Sequence, residues 1–253
     1  MRKYLLFLTC MIPFVLLGKE TKKIVVDYLY PPFKEIFYVL KSDTIVRHGP
    51  YKLVLNGKIL VEGSYKMGMK DSLWIEHNVM GKLRFRGYYT ENKRVGIWEF
   101  NNENGEAEQQ LDFTNNQILM YRSQMTGHTF RIHKSSDSLY SLLDRPPLYL
   151  GGASRIKEHI ADEILAPLHK TNEKFLGTVF VEFTIDSLGK TSNHHILRGM
   201  GPRYNEEALR VVKSLPDEWF PGILNEKTVS ADYVIPVIFD EKLYEDKPAL
   251  IIF

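Results

Sequence analysis

His194-His195 is the pair best suited by residue type to hold a metal ion. The two lie in a stretch with strand-like alternation, where neighbouring side chains point to opposite faces, so joint chelation is disfavoured. Asp27, Asp186 and Asp240 have no nucleophile and histidine nearby in a triad-like arrangement. Gly151-Gly152 lacks the Gly-Lys-Ser/Thr ending of a phosphate loop. Cys10 is the single cysteine, which excludes a disulfide framework and a cysteine-based zinc site. The residues therefore predict no catalytic group, no metal site, no cofactor and no enzymatic activity.

The elements that surround these residues look built for binding. A chain of 253 residues holds one or two domains, and 44% hydrophobic with 25% charged residues is ordinary globular usage. Residues 1–18 read as a signal peptide or a short N-terminal anchor. Arg2-Lys3 supplies the positive start, and Tyr4 to Leu17 is apolar but short for a membrane span. A lipoprotein reading through Cys10 is poor, because much of the apolar run follows it. Cleavage near Gly18, with the mature chain starting near Lys19, removes Arg2 and Lys3 from the 33 basic residues and leaves 31 against 31 acidic ones. A neutral, exported, cysteine-free chain has no electrostatic basis for binding nucleic acid.

Residues 19–123 are expected to form an all-β hairpin-repeat domain. Gly57, Gly81 and Gly105 are spaced by 24 residues, and Gly63/Gly87, Tyr65/Tyr89 and Trp74/Trp98 keep the same step. A fixed period with glycine at turns and aromatics between is the mark of a repeat array whose units bury their aromatic faces together. The Gly96-Ile97-Trp98 step resembles MORN-like repeats; Ser72-Leu73-Trp74 departs from it. The aromatics read chiefly as hairpin-to-hairpin core, with a docking surface for protein, glycan or lipid as the other option.

Gln124 to Arg145 reads as a linker of polar turn-formers, with a short helical turn at Leu139 to Leu143. Residues 146–240 then show two amphipathic helices on a small antiparallel sheet. Ser154 is a candidate N-cap, and Ile156, Ile160 and Ile164 share one helix face until Pro167. Val179, Val181, Phe183 and Ile185 alternate along a strand that turns at Asp186-Ser187-Leu188-Gly189 and returns to about Arg198. Asn205, Glu206 and Glu207 open a second helix with Ala208, Val211, Val212 and Leu215 as its buried stripe and Pro216 as its stop. The closing strand puts Val229, Ala231, Tyr233, Ile235, Val237 and Phe239 on one face. Its Pro236 suits an edge or a strand end. The tail, 241–253, ends in Ala249 to Phe253, which suits a short extra strand.

The ordered set Pro146-Pro147-Leu148-Tyr149-Leu150-Gly151-Gly152, Gly177 to Lys190, Asn205 to Pro216, Trp219-Phe220-Pro221-Gly222 and Tyr233 to Phe239 resembles the TonB C-terminal domain. The resemblance implies an α+β fold, an envelope location facing the periplasm, and a last strand that accepts a β-strand from an outer-membrane receptor, with a link to TonB-dependent transport. On it, Val229, Ser230, Ala231, Asp232, Tyr233, Val234 and Ile235 are the partner-binding edge, with Ser230, Asp232 and Val234 on the outer, partly wet face. Three departures weigh against energy transduction. The Pro-x-Trp step is stretched to Pro216-Asp217-Glu218-Trp219, a long Pro-rich spacer is lacking, and the N-terminal apolar segment has no polar intramembrane residues. The alternative is a structural envelope protein whose repeats do the binding. Expected partners are an outer-membrane receptor or another envelope protein; homodimerisation and membrane association through the N-terminal segment stay open.

Overall fold

The computed structural model describes residues 20–29, 31–123, 125, 127–134, 137–168 and 176–240. The signal or anchor segment expected at 1–18 and the short strand expected in the tail lie outside the described residues. The first half is one nine-stranded antiparallel meander in sequence order: β1 Thr21–Asp27, β2 Phe33–Leu40, β3 Arg47–Leu55, β4 Lys58–Lys66, β5 Met69–His77, β6 Leu83–Thr90, β7 Lys93–Asn101, β8 Ala107–Asp112 and β9 Gln117–Tyr121. Each 24-residue unit is one hairpin, β4–β5 and then β6–β7. Two-residue turns with positive φ at both positions, such as Asn56-Gly57 and Glu91-Asn92, match the twist of the strands they join.

The 24-residue period is a packing period. Trp74 and Trp98 are buried, at 3% and 1% exposure. Each indole lies flat on the glycine of the neighbouring strand: a Cβ at Gly63 would come within 2.3 Å of the Trp74 ring, and one at Gly87 within 2.2 Å of Trp98. Each indole N–H donates to a carbonyl ten residues earlier, Ser64 at 3.2 Å and Tyr88 at 3.1 Å. Tyr65 and Tyr89 meet the rings edge-on at 5.1 and 4.9 Å. Lys70 lies 4.4 Å over Trp74 and Arg94 5.4 Å over Trp98. The aromatics thus build the core of the repeats, as the spacing predicts.

The region expected to be a linker contains a hairpin, β10 Thr129–Lys134 and β11 Asp137–Leu142; where a helical turn was expected over Leu139 to Leu143, Leu139 to Leu142 are strand. Then follow β12 Leu148–Tyr149, α1 Gly152–Leu168, β13 Leu176–Ile185, β14 Thr191–Arg198, α2 Pro202–Lys213, β15 Trp219–Phe220, β16 Gly222–Leu224 and β17 Lys227–Asp240. The second sheet runs β11-β10-β17-β13-β14, with β16 also on β17. Ile156, Ile160 and Ile164 of α1 and Ala208, Val211 and Val212 of α2 close over Val179, Val181, Phe183, Ile235, Val237 and Phe239.

Helix boundaries differ from the sequence reading in three places. Ser154 lies inside α1, whose first turn is capped by a carboxylate from the repeat half. Pro167 falls within the last turn of α1 and has no N–H for the Glu163 carbonyl four residues back; the Arg210 guanidinium donates to that oxygen instead, at 3.0 Å. The second helix starts at Pro202, three residues before Asn205, because proline suits a first turn. Asn205 instead accepts from the Met200 N–H at 2.9 Å and fixes the loop before the helix.

The two halves are joined by buried polar contacts. Glu108 Oε1 on β8 accepts from the Ala153 and Ser154 N–H groups at 2.8 and 3.4 Å. Gln109 donates to the Tyr149 carbonyl and accepts from the Gly151 N–H at 2.7 Å. Gly151 and Gly152 both have positive φ, and a Cβ at Gly152 would come within 2.5 Å of the Glu108 carboxyl. The glycine pair is therefore a fitted joint. Its helix N-terminus, where an anion is favoured, is filled by Glu108.

Candidate functional site

The candidate site is the edge of β17. β13 ladders with it at ten positions, from Leu176↔Asp240 to Ile185↔Ala231. On its other side β10 pairs at two positions, Ile132↔Ala231 and His133↔Ser230. β16 pairs with Lys227, Thr228 and Val229. The exposed edge expected over Val229 to Ile235 therefore needs correction: Val229 pairs with β16, Ser230 with β10, and Ala231 lies between β13 and β10. The tertiary packing of β10, from a region without a clear period, produces this. Among the described residues, Asp232, Tyr233, Val234, Ile235, Pro236 and Val237 ladder only with β13. Pro236 lies inside β17 opposite Phe180, and the β10 ladder stops well short of it.

Two side-chain layers flank that edge. On the inner face Ala231 packs with Phe130 and Ile132 in a small cluster, with Val229, Leu224, Leu143 and Tyr233 against it. Tyr233 also touches Trp219 at 5.1 Å and Phe183 at 6.0 Å, linking the cluster to the main core. Burial pushes the Tyr233 phenol up to about 12. Trp219 is held by the pairing of β15 with β12, which joins Tyr149↔Trp219 and Leu148↔Phe220. Two of the motifs that carry the resemblance thus pair in one small sheet, whose Trp219 lies against Tyr233 of β17.

On the outer face a polar row crosses all five strands. Asn193 on β14 donates to Thr184 Oγ1 at 3.4 Å, and Thr184 donates to Asp232 Oδ1 at 2.7 Å. Asp232 Oδ1 accepts from His133 Nε2 on β10 at 2.7 Å, and His133 Nδ1 meets Ser138 Oγ on β11 at 3.1 Å. Arg131 lies 3.8 Å from the same carboxylate. Asp232 was expected on a partly wet face. It is 9% exposed, because β10 covers it.

His194 and His195 are split between faces. His194 stacks on Phe183 at 4.8 Å, and burial lowers its basicity; His195 reaches Glu182 at 3.2 Å. Asp186 holds its turn by accepting from the Leu188 and Lys190 N–H groups. The stretched Pro216-to-Trp219 step has a structural use. Its Glu218 accepts from Arg94 at 3.0 Å and lies 2.7 Å from Arg155, tying the repeats to the second half.

The family described as the Gram-negative bacterial TonB protein C-terminal matches residues 171–240, which span β13, β14, α2 and β15 to β17. This part of the chain is similar to a TonB C-terminal domain; with α1, which precedes the match, it makes two helices on a sheet, and the first half of the chain is an array of β-hairpins. No curated protein matches the chain. Two crystal structures are similar at 16% identity and a TM-score of 0.24: TarM, and an S. aureus TarM mutant in complex with fondaparinux, α-GlcNAc-glycerol and UDP. They cover 39% of this chain, and the chain spans 21% of their length. A likeness at that score carries no weight for the fold. Among the described residues no helix is long and apolar enough to cross a membrane.

Proposed function

We propose that this chain is an envelope adapter, without catalytic activity, that captures an extended segment of an outer-membrane protein by adding it as a strand to β17. One observation carries the reading. In the region similar to a TonB C-terminal domain, β17 is laddered along ten positions on one side and at few on the other. Strand addition uses main-chain bonds for affinity and alternate side chains for selectivity. The β17 backbone offers both, with an aromatic cluster on one face and a carboxylate on the other. The MORN-like repeats then act as a rigid base, because Glu108, Gln109 and Arg94 fix them to the second half. An export signal in residues 1–18 places the chain in the periplasm of a Gram-negative cell.

The test is photocrosslinking in the native host. A photoreactive amino acid replaces Val234 on β17, and in a second strain Tyr88, which is 53% exposed on the repeat sheet. Crosslinks from position 234 to an outer-membrane receptor support strand addition. Crosslinks from position 88 alone transfer the binding role to the repeats and contradict it.

A further inference from the structure

β10 occupies β17 as a partner strand would. It runs antiparallel, pairs at Ser230 and Ala231, buries Phe130 and Ile132 at 4% and 0% exposure, and places Arg131 and His133 beside Asp232. Its hold is nonetheless local. The ladder has two positions against ten for β13, and its apolar cluster is distinct from the one that α1 and α2 cover. Removing β10 would uncover that satellite cluster while Ile235, Val237 and Phe239 stay packed on the main core. Asp232 would keep Thr184 and lose both of its basic neighbours. With β10 gone the carboxylate meets water, and a strand that docks in its place desolvates it again, which is unfavourable unless that strand supplies partners. An incoming strand that brings bases restores them; one that brings acids meets like charge.

We propose that β10 is an internal stand-in for the partner strand: a segment that alternates large apolar with basic residues displaces it and pairs antiparallel with β17 at Ser230 to Tyr233. This rests on the strand-addition reading and adds to it a sequence preference and a gate. While β10 is docked, the fraction of molecules ready to bind is small, and the apparent affinity is reduced by that fraction.

The test uses the full chain with Cys10→Ser, His133→Cys and Ser230→Cys. Residues 133 and 230 are direct ladder partners, and such pairs lie about 4.5–5.5 Å apart between Cα atoms, within reach of a disulfide. One probe is the peptide His-Thr-Phe-Arg-Ile-His-Lys, copying residues 128–134; a second carries Glu in place of its Arg and of its second His. The expected result is binding of the first peptide to the reduced protein and its loss on oxidation. The Glu peptide should bind about tenfold more weakly or worse. His133→Ala in the otherwise unchanged chain should tighten the first peptide about tenfold by loosening β10.

Equal binding by the oxidised and reduced forms overturns the gate, as does failure of the disulfide to form under oxidant. Equal binding of the two peptides overturns the preference for bases. Capture of receptor-derived peptides at Asp232 to Val237 in the locked protein leaves strand addition standing and removes this inference. If no peptide binds the locked, reduced or His133→Ala protein, both fall.

Discussion

Gly87→Ala tests whether the 24-residue period is set by rings lying on glycines. The added methyl carbon would stand 2.2, 2.3 and 2.4 Å from three atoms of the Trp98 indole. Carbon atoms rest at about 3.5–4.0 Å, so the ring must retreat by about 1.3 Å. It has nowhere to go. Trp98 is 1% exposed, with Phe85, Tyr89, Phe100 and Phe113 centred 5.8, 4.9, 5.9 and 6.0 Å away. Overpacking costs about 1–3 kcal/mol, and losing the indole bond to the Tyr88 carbonyl adds about 1 kcal/mol. The methyl returns about 0.4–1 kcal/mol by restricting the unfolded chain. The net expectation is about 1–3.5 kcal/mol of lost stability, against roughly 3–5 kcal/mol for Trp98→Ala itself. Urea unfolding of the full chain, followed by far-UV circular dichroism, measures both. The double mutant is decisive: without the indole the methyl meets no ring, so Gly87→Ala should then cost under about 0.5 kcal/mol. Additive costs, or an unchanged midpoint for Gly87→Ala alone, would refute the ring-on-glycine explanation. Gly63→Ala against Trp74 should repeat the pattern.

Glu108→Ala should lower stability by about 1–2 kcal/mol in urea unfolding, because it strips the N-terminal cap from α1; an unchanged midpoint would mean the joint is not structural. Burial lowers the pKa of both His194 and His159 below their ordinary 6.5. Their folded forms therefore hold fewer protons than the unfolded chain as pH falls below about 6.5, and stability should decline there. His194→Gln should flatten that decline, and an unflattened slope would assign it to other groups.

Much of the architecture was legible because local pattern and tertiary packing agree. Glycine and tryptophan 24 residues apart mark strands whose rings need bare backbone beneath them, and Ile156, Ile160 and Ile164 mark a helix face that the core then fills. The β10–β11 hairpin was not legible. Its two buried apolar residues, Phe130 and Ile132, sit among polar turn-formers, and β17 rather than local propensity makes the segment a strand. For the same reason the outer position of Asp232 was readable from alternation, but not its burial beneath β10. The capping of α1 by Glu108 was hidden too, since the donors and the acceptor lie 45 residues apart.

Hydrogen exchange on the full chain, with and without the peptide copying residues 128–134, follows both strands in one experiment. Strand exchange at β17 predicts that the amides of Ser230 to Tyr233 keep or gain protection while those of Phe130 to His133 lose it as peptide is added. Peptide that binds while the β10 amides stay equally protected, or that protects only the nine-stranded sheet, would contradict it.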